Sequence, residues 1–198
     1  MTTLFIDTTV TLRIGLLGED LSWIEYKEIP EKKTSRVIHG EVYEILKSHG
    51  QDLDSLKNLV LAKGPGSYTG IRVVKPFEDI LSQDEIDCYG FYHHQVPKLL
   101  GFDRGSFFCN AYKNEFFQYS WNGDEEESKL VPKDNLLDKT ADFYSNDLEY
   151  VENEKLTHEL ILKNEKSFFK RVKELKLNLE PFYFRPVKVE FALKEKKN

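Results

Sequence analysis

Cysteine and histidine are scarce in this sequence. Its 198 residues hold two cysteines, Cys88 and Cys109, and five histidines, His39, His49, His93, His94 and His158. No C-x-x-C, H-x-x-H or H-E-x-x-H set can be assembled from them, and neighbouring rings at His93-His94 are poorly directed at one metal, so no metal site is expected. Both cysteines lie in apolar stretches, which suits reduced, buried thiols of a cytosolic protein rather than a disulfide framework. No run of about 18 apolar residues is present, which excludes a helical membrane span. Asp7 interrupts the opening apolar stretch and no long apolar region follows, so no signal sequence is expected. Positive charge is also in short supply. Lys and Arg number 28 against 34 Asp and Glu, for a net charge of -6. An isolated nucleic-acid binder usually carries a basic footprint, so any such role is expected to run through a partner.

What is present reads as a folded protein. Aromatic residues make up 13% of the chain, too many for a disordered composition. Its length suits one large domain or two small ones, and either can bury a core. The acidic run Asp124-Glu125-Glu126-Glu127 and the mixed tail Lys194 to Lys197 read as solvated surface.

The hydrophobic pattern sets the order of elements. Strands are expected over residues 4 to 7 and 11 to 17, joined by a tight turn at Asp7-Thr8-Thr9. Leu12, Ile14 and Leu16 alternate with Thr11, Arg13 and Gly15, the period of a half-buried strand. "LSWIEYKEI" gives a third strand and an antiparallel meander. Residues 34 to 48 read as a helix capped by Thr34 or Ser35 and stopped by Gly50. Val37, Ile38, Val42, Ile45 and Leu46 share one face; Arg36, Gly40, Tyr43 and Lys47 share the other. Gly40 costs roughly 1 kcal/mol relative to alanine there. Either it is tolerated drift or another helix approaches closely. "LKNLVLA" is a buried strand, residues 69 to 82 a helix that Pro76 should kink or shorten, and "IDCYGF" a strand. A short helix follows from His93 to Leu100. The second half opens with a hairpin, "SFFCNAY" and "EFFQYSW" about Lys113-Asn114. "LVPKDNLLDK" reads as a strand end and a short helix, and "ADFYS" as a strand. Residues 154 to 176 form an amphipathic helical set, and "EPFYFRPVKVEF" closes the chain. This is an α/β fold with mixed sheets, with a boundary near residue 101.

"AKGPGSYTGIR" carries the most chemistry. A nucleotide triphosphate loop needs G-x-x-x-x-G-K-[ST], and the Lys-Ser/Thr pair is missing. The dinucleotide pattern fails too, because Gly64, Gly66 and Gly70 are spaced G-x-G-x-x-x-G. No G-x-S-x-G elbow surrounds Ser67, so N-capping by Ser67 or Thr69 is expected instead. Pro65 fixes one φ, while Gly64 and Gly66 allow backbone shapes a side chain would block. The loop then opens a helix, where backbone N–H groups can weakly attract an anion. Asp7, with its two threonines, can hold phosphate or a metal-bound water; it can equally be an Asx-type turn. Asp7, Gly64, Gly66, Ser67, Thr69 and Gly70 are therefore candidate weak nucleotide or anion contacts, and no catalytic residue is assigned.

These stretches together resemble one family. The strand ending in Asp7-Thr8-Thr9 resembles the "IDTS" opening of sugar kinases, actin and heat-shock ATPases. "GPGSYTGIR" is similar to the "GPGSFTGLR" signature of the bacterial TsaB (YeaZ) family, "NAYKNEFF" to its "DAR-x-x-E-V-Y" hairpin, and "EPFYFR" to its terminal "P-x-Y-x-R". The resemblance implies a two-lobed, actin-like ATPase (ribonuclease H-like) fold, with an N-terminal lobe over residues 1-101 and a reduced second lobe over 102-198. It implies a non-catalytic subunit of the tRNA threonylcarbamoyladenosine pathway, partnered by a TsaD-like catalytic subunit and a TsaE-like ATPase, and reaching tRNA only through that complex. It implies docking through the helices at 34 to 48 and 69 to 82, which gives Arg36, Gly40, Tyr43 and Lys47 a partner-binding role. A homodimer through the same helices is expected when the chain is alone, and no cofactor is required beyond a weak ATP or ADP contact at the subunit junction. Departures from the family pattern are Val74, Lys75, Pro76, Phe77 and Ile80 in the second helix and Asn110-Ala111-Tyr112 in the hairpin. An ATP-dependent phosphotransferase or ATPase is the alternative. A peptidase ranks last, since no nucleophile–base pair or metal set can be assembled.

Overall fold

The computed structural model describes residues 2–30, 34–84, 86–111, 114–133, 142–147 and 154–184. The meander forms as the alternation requires. β1 (Thr2–Asp7), β2 (Leu12–Leu17) and β3 (Trp23–Ile29) pair antiparallel, with Ile6 opposite Ile14 and Gly15 opposite Tyr26. α1 (Thr34–Ser48) follows. Gly50 ends it at φ +65, where the Gln51 amide donates to the Leu46 carbonyl at 2.9 Å. That geometry is the left-handed helix stop that glycine makes without penalty. β4 (Leu56–Ala62) adds parallel to β1, α2 (Tyr68–Leu81) crosses over, and β5 (Asp87–Phe91) adds parallel to β4. The strand order is β3-β2-β1-β4-β5.

After a 3-10 turn at His93–Gln95, α3 (Val96–Leu99) leads to a second mixed sheet. β6 (Arg104–Ala111), β7 (Glu115–Asn122) and β8 (Glu125–Pro132) run antiparallel. β9 (Phe143–Ser145) and β10 (Lys155–Leu156) add in parallel, giving the order β10-β9-β6-β7-β8. α4 (Thr157–Lys163) and α5 (Glu165–Glu174) complete the helices. The architecture is α/β with two mixed sheets.

Four local expectations change. The helix holding Pro76 is not shortened: α2 runs from Tyr68 to Leu81 through the proline. The bond lost there is the one to the Arg72 carbonyl, and Arg72 and Pro76 are both exposed, so water can replace it. The acidic run at 125 to 127 is exposed as expected, yet it belongs to strand β8. Its low strand propensity hides a segment that pairing with β7 holds extended. The helical set at 154 to 176 is two helices broken at Asn164, whose side chain donates to the Leu160 carbonyl at 2.9 Å. Lastly, β2 is buried on both faces, not one, because α4 and α5 return to cover the face that carries Arg13 and Gly15. Tyr112, Lys113, the short helix expected after Pro132, Arg185 and the Lys194 to Lys197 tail lie outside the described residues.

The first sheet is packed on both sides. Leu4 and Ile6 of β1 point toward α1 and α2, meeting Ile38, Val42, Ile45 and Leu46. Phe5 points the other way, into Phe91, Phe168, Phe169 and Val172. Strand alternation in a sheet covered on both faces produces this division. Phe169 is fully buried, with its ring 5.6 Å from Phe5, 5.3 Å from Trp23 and 5.2 Å from Phe168. Gly15 makes room for Trp23, since a Cβ there would collide with the indole ring.

Phe169→Ala should therefore lower the unfolding free energy by about 3–5 kcal/mol. The measurement is a lowered urea midpoint at unchanged m-value.

Candidate functional site

The carboxyl ends of the parallel strands β1, β4 and β5 meet in one place, where open α/β sheets hold ligands. Asp7 ends β1, the loop from Lys63 to Ser67 follows β4, and His93 follows β5. Asp7 and His93 are 0% exposed and Arg13 is 3% exposed. The sequence reading singled out Asp7; it missed Arg13 and His93.

Asp7 is fully engaged by its own chain. Its Oδ1 accepts from the Thr9 amide at 2.8 Å and from Thr9 Oγ1 at 2.7 Å, which is the Asx-type turn. Its Oδ2 faces Arg13 Nη1 at 3.3 Å and His93 Nε2 at 3.1 Å. The second guanidinium arm of Arg13 reaches Glu28 Oε1 at 3.0 Å. Burial would by itself raise the Asp7 pKa. The charge and hydrogen bond of His93, the charge of Arg13 and the hydrogen bond from Thr9 outweigh it, and the carboxyl is held far below the usual range.

His93 extends the network into the second half of the chain. Its Nδ1 lies 2.8 Å from Thr157 Oγ1, and Thr157 Oγ1 donates to the Ser145 carbonyl at 3.0 Å. Thr157 therefore accepts from the ring. Nε2 also lies 3.0 Å from Thr9 Oγ1, whose proton goes to Asp7. Both ring nitrogens therefore have a hydrogen-bond partner within the chain. His94 differs completely. It packs among Tyr92, Phe107, Phe117, Tyr119 and Phe182, and burial, with the neighbouring His93 charge, pulls its pKa down to about 3. The adjacent histidines thus point into unlike surroundings. Among the described residues, no three His, Cys, Asp or Glu side chains gather into a metal-holding group.

The glycine loop rests directly on the Asp7-Thr8-Thr9 turn. Gly64 has φ +113. A Cβ on Gly66 would meet the Thr9 backbone, and one on Gly70 would collide with the Thr8 carbonyl. The Ser67 amide donates to the Thr9 carbonyl at 2.7 Å, and Thr8 Oγ1 donates to the Gly70 carbonyl at 2.8 Å. Ser67 is the N-cap of α2, its Oγ accepting from the Gly70 amide at 3.2 Å. Thr69 lies exposed in the first turn. From outside, Asn146 Nδ2 donates to the Pro65 carbonyl at 2.8 Å, and the Phe182 amide to the Lys63 carbonyl at 2.8 Å. Buried Lys63 pairs with Glu78, joining the loop to the last turn of α2. The six candidate contacts are thus brought together, with Asp7 sealed beneath and Ser67 and Thr69 outermost. Nothing local marks His93, Thr157 or Lys63, whose partners lie elsewhere along the chain, and Arg13 sits in an alternating strand pattern that reads as solvent-facing.

A second surface lies on the outer side of the sheet. Arg36, Gly40, Tyr43 and Lys47 are all exposed along α1. Tyr43 is 58% exposed, with Lys47 Nζ 5.3 Å from its ring centre. A Cβ on Gly40 would meet nothing within 4 Å, so no contact among the described residues explains that glycine. Beside the strip runs a groove of about 360 Å³, lined by His39, Val42, Tyr43, Leu46, Leu53 and Phe77 among others. The His39 ring stacks on Phe77 at 4.7 Å. Of the departures in α2, Val74 and Phe77 turn inward, while Ile80 is 58% exposed.

No family model matches the chain. Over 74 residues it is 42% identical to the tRNA threonylcarbamoyladenosine biosynthesis protein TsaB of Bacillus subtilis (strain 168), a match spanning 37% of this chain and 32% of that protein. The aligned stretch is thus about a third of the relative's length. The fold is shared with a Pseudomonas aeruginosa protein described as similar to peptidase YEAZ, at TM-score 0.65 and 15% identity over 93% of this chain and 99% of that one. YeaZ from Pseudomonas aeruginosa gives TM-score 0.62 and 16% identity over 92% and 99%. The resemblance read from the glycine loop therefore extends to a sequence match with TsaB and to the fold of YeaZ.

Asp7→Asn should leave the Arg13 and His93 side of the cluster uncompensated and cost about 3–5 kcal/mol at neutral pH. The folded-state pKa of Asp7 lies below its unfolded value, so the ionised carboxylate's contribution is complete above about pH 4. It is lost as the pH falls through the folded pKa. Urea unfolding from pH 7 down to about 3 should show the wild-type advantage over Asp7→Asn shrinking at the acid end.

Proposed function

We propose that this chain is the non-catalytic scaffold subunit of a tRNA threonylcarbamoyladenosine (adenosine 37) modification complex, and that its α1–α2 face binds and activates a TsaD-like catalytic subunit. The observation that carries the reading is the exterior of α1. It offers an exposed aromatic anchor, Tyr43, beside a glycine whose missing side chain no contact among the described residues requires. A glycine on a helix exterior costs stability unless something approaches it closely. Exposed aromatics flanking a groove are the usual anchors of a protein interface. The 42% identity to TsaB over 74 residues supports placing the chain in that pathway.

The reading extends to a TsaE-like ATPase as a further partner, to tRNA reached through the complex, to a cytoplasmic setting and to a homodimer through the same helices when the partner is missing. No described helix is long and apolar enough to cross a membrane. No cofactor is required, and any ATP or ADP contact is weak and lies at the subunit junction, near Ser67 and Thr69. The position of Asp7 at the end of β1 favours one other reading, an ATP-dependent phosphotransferase or ATPase. Against it stands the commitment of both Asp7 oxygens to Thr9, Arg13 and His93, which leaves that carboxylate no lone pair aimed at a metal-bound water. Steady ATP turnover by the purified protein alone would favour the phosphotransferase.

The scaffold reading is tested by size-exclusion chromatography with the TsaD-like subunit of the same genome. Tyr43→Asp should abolish co-elution while leaving the urea midpoint within error. Gly40→Gln should weaken co-elution too, yet raise the stability of the free chain by up to about 1 kcal/mol, since the helix gains propensity and the site is open. Co-elution unaffected by both changes would remove α1 from the interface.

A further inference from the structure

We infer that the lysine-rich outer face of α5 is a contact surface for the phosphate backbone of RNA. Between Lys163 and Lys176 lie six cations (Lys163, Lys166, Lys170, Arg171, Lys173 and Lys176) and two anions, Glu165 and Glu174, in a chain whose net charge is -6. Phe168, Phe169 and Val172 are 0% exposed and fix α5 against the sheet, which turns the cations outward. Lys166, Lys170 and Lys173 recur at intervals of four and three and so share one flank of the helix, with Lys166 and Lys170 exposed and Lys173 partly exposed.

The existing ion pairs do not neutralise this flank. Lys170 and Arg171 share the single carboxylate of Glu174, at 3.8 and 3.9 Å. Lys166 pairs with Asp20 at 2.8 Å and Lys163 with Glu159 at 3.0 Å, all between half-exposed or more exposed side chains. Exposed pairs of this kind are worth 1 kcal/mol or less, and polyphosphate can displace them. A lipid surface fits less well. A helix that lies on a membrane presents apolar residues beside its lysines, and here those residues face the core. Among the described residues of this stretch only Leu175, just past the helix, is a large exposed hydrophobe. RNA as the polyanion rests on the tRNA-modification reading. The inference goes beyond it, because tRNA would touch this subunit directly rather than through the partner alone. It departs from the expectation drawn from net charge, which averages over the whole surface and not over one helix.

The test is equilibrium binding of an unmodified tRNA transcript across a potassium chloride series, with the protein alone and with the TsaD-like subunit added. The variants are the triple Lys166→Glu, Lys170→Glu, Lys173→Glu, the corresponding Lys→Gln triple, and the Lys→Arg triple. Charge reversal should weaken binding at low salt by about tenfold or more and flatten the slope of log K against log salt by about 2 to 3. The Gln triple should fall between, and the Arg triple should match the wild type. All should co-elute with the partner, since α1 is untouched. Equal affinity and slope for the wild type and the Glu triple would overturn the inference, as would wild-type binding to phosphatidylglycerol vesicles without binding to tRNA. If no partner complex forms but charge reversal still weakens tRNA binding, the scaffold reading falls and the ridge stands.

Discussion

A buried carboxylate held between an arginine and a histidine organises this molecule. Asp7 ends β1, Arg13 comes from β2, Glu28 from β3 and His93 from the turn after β5. Thr157 at the start of α4 and the Ser145 carbonyl of β9 complete the chain of bonds. Removing a carboxylate from water costs several kcal/mol, so the fold tolerates Asp7 only with all these partners in place. That requirement joins the first sheet to the second, because His93 cannot be satisfied without Thr157. It works as a specificity device as much as a source of stability: few alternative packings bring the turn, Arg13 and His93 to one carboxylate while also satisfying Glu28 and Thr157 behind them.

The same cluster places the exterior of the molecule. The Thr8-Thr9 part of the turn sits against Gly66 and Gly70, so the start of α2 is located by backbone contact with β1. The buried Lys63–Glu78 pair fixes α2 again about two turns beyond Gly70. The α1–α2 groove, with Phe77 on one wall, therefore inherits its geometry from a polar knot on the other side of the sheet. The glycine corner shapes backbone in the service of that arrangement; its donors at Ser67 and Gly70 are spent on Thr9 and Ser67.

Much of this was legible in the sequence because the relevant signals are local. The meander, α1 with its two faces, the glycine stop at Gly50 and the cap at Ser67 each depend on residues within a few positions of one another. What stayed hidden depends on long-range partners. Arg13 alternates with apolar residues as a solvent-facing side chain would, and only the return of α4 and α5 buries it. His93 carries no signal because its acceptors lie 86 and 64 positions away. β8 was masked by its acidic run, whose extended shape comes from pairing with β7. The Asn164 break went unread because apolar spacing continues on either side of it, while the interruption is a side-chain bond to one carbonyl.

The two surfaces assigned to partners are built on opposite faces of one sheet. Leu4 and Ile6 lead from β1 to α1 and α2, and Phe5 leads from β1 to α5. A protein seated on Tyr43 and Gly40 therefore does not cover Lys166 and Lys170, and both surfaces can be occupied together. The sheet between them is closely packed on both sides, with the Phe5, Phe168 and Phe169 rings on one and aliphatic side chains on the other. Such a core does not deform gradually. It holds the two faces in a fixed relation, so a partner on one face and a polyanion on the other would be set at a defined distance and angle. A rigid spacer of that kind needs no reactive group of its own, which is consistent with an aspartate at the head of the sheet spent on holding the fold together.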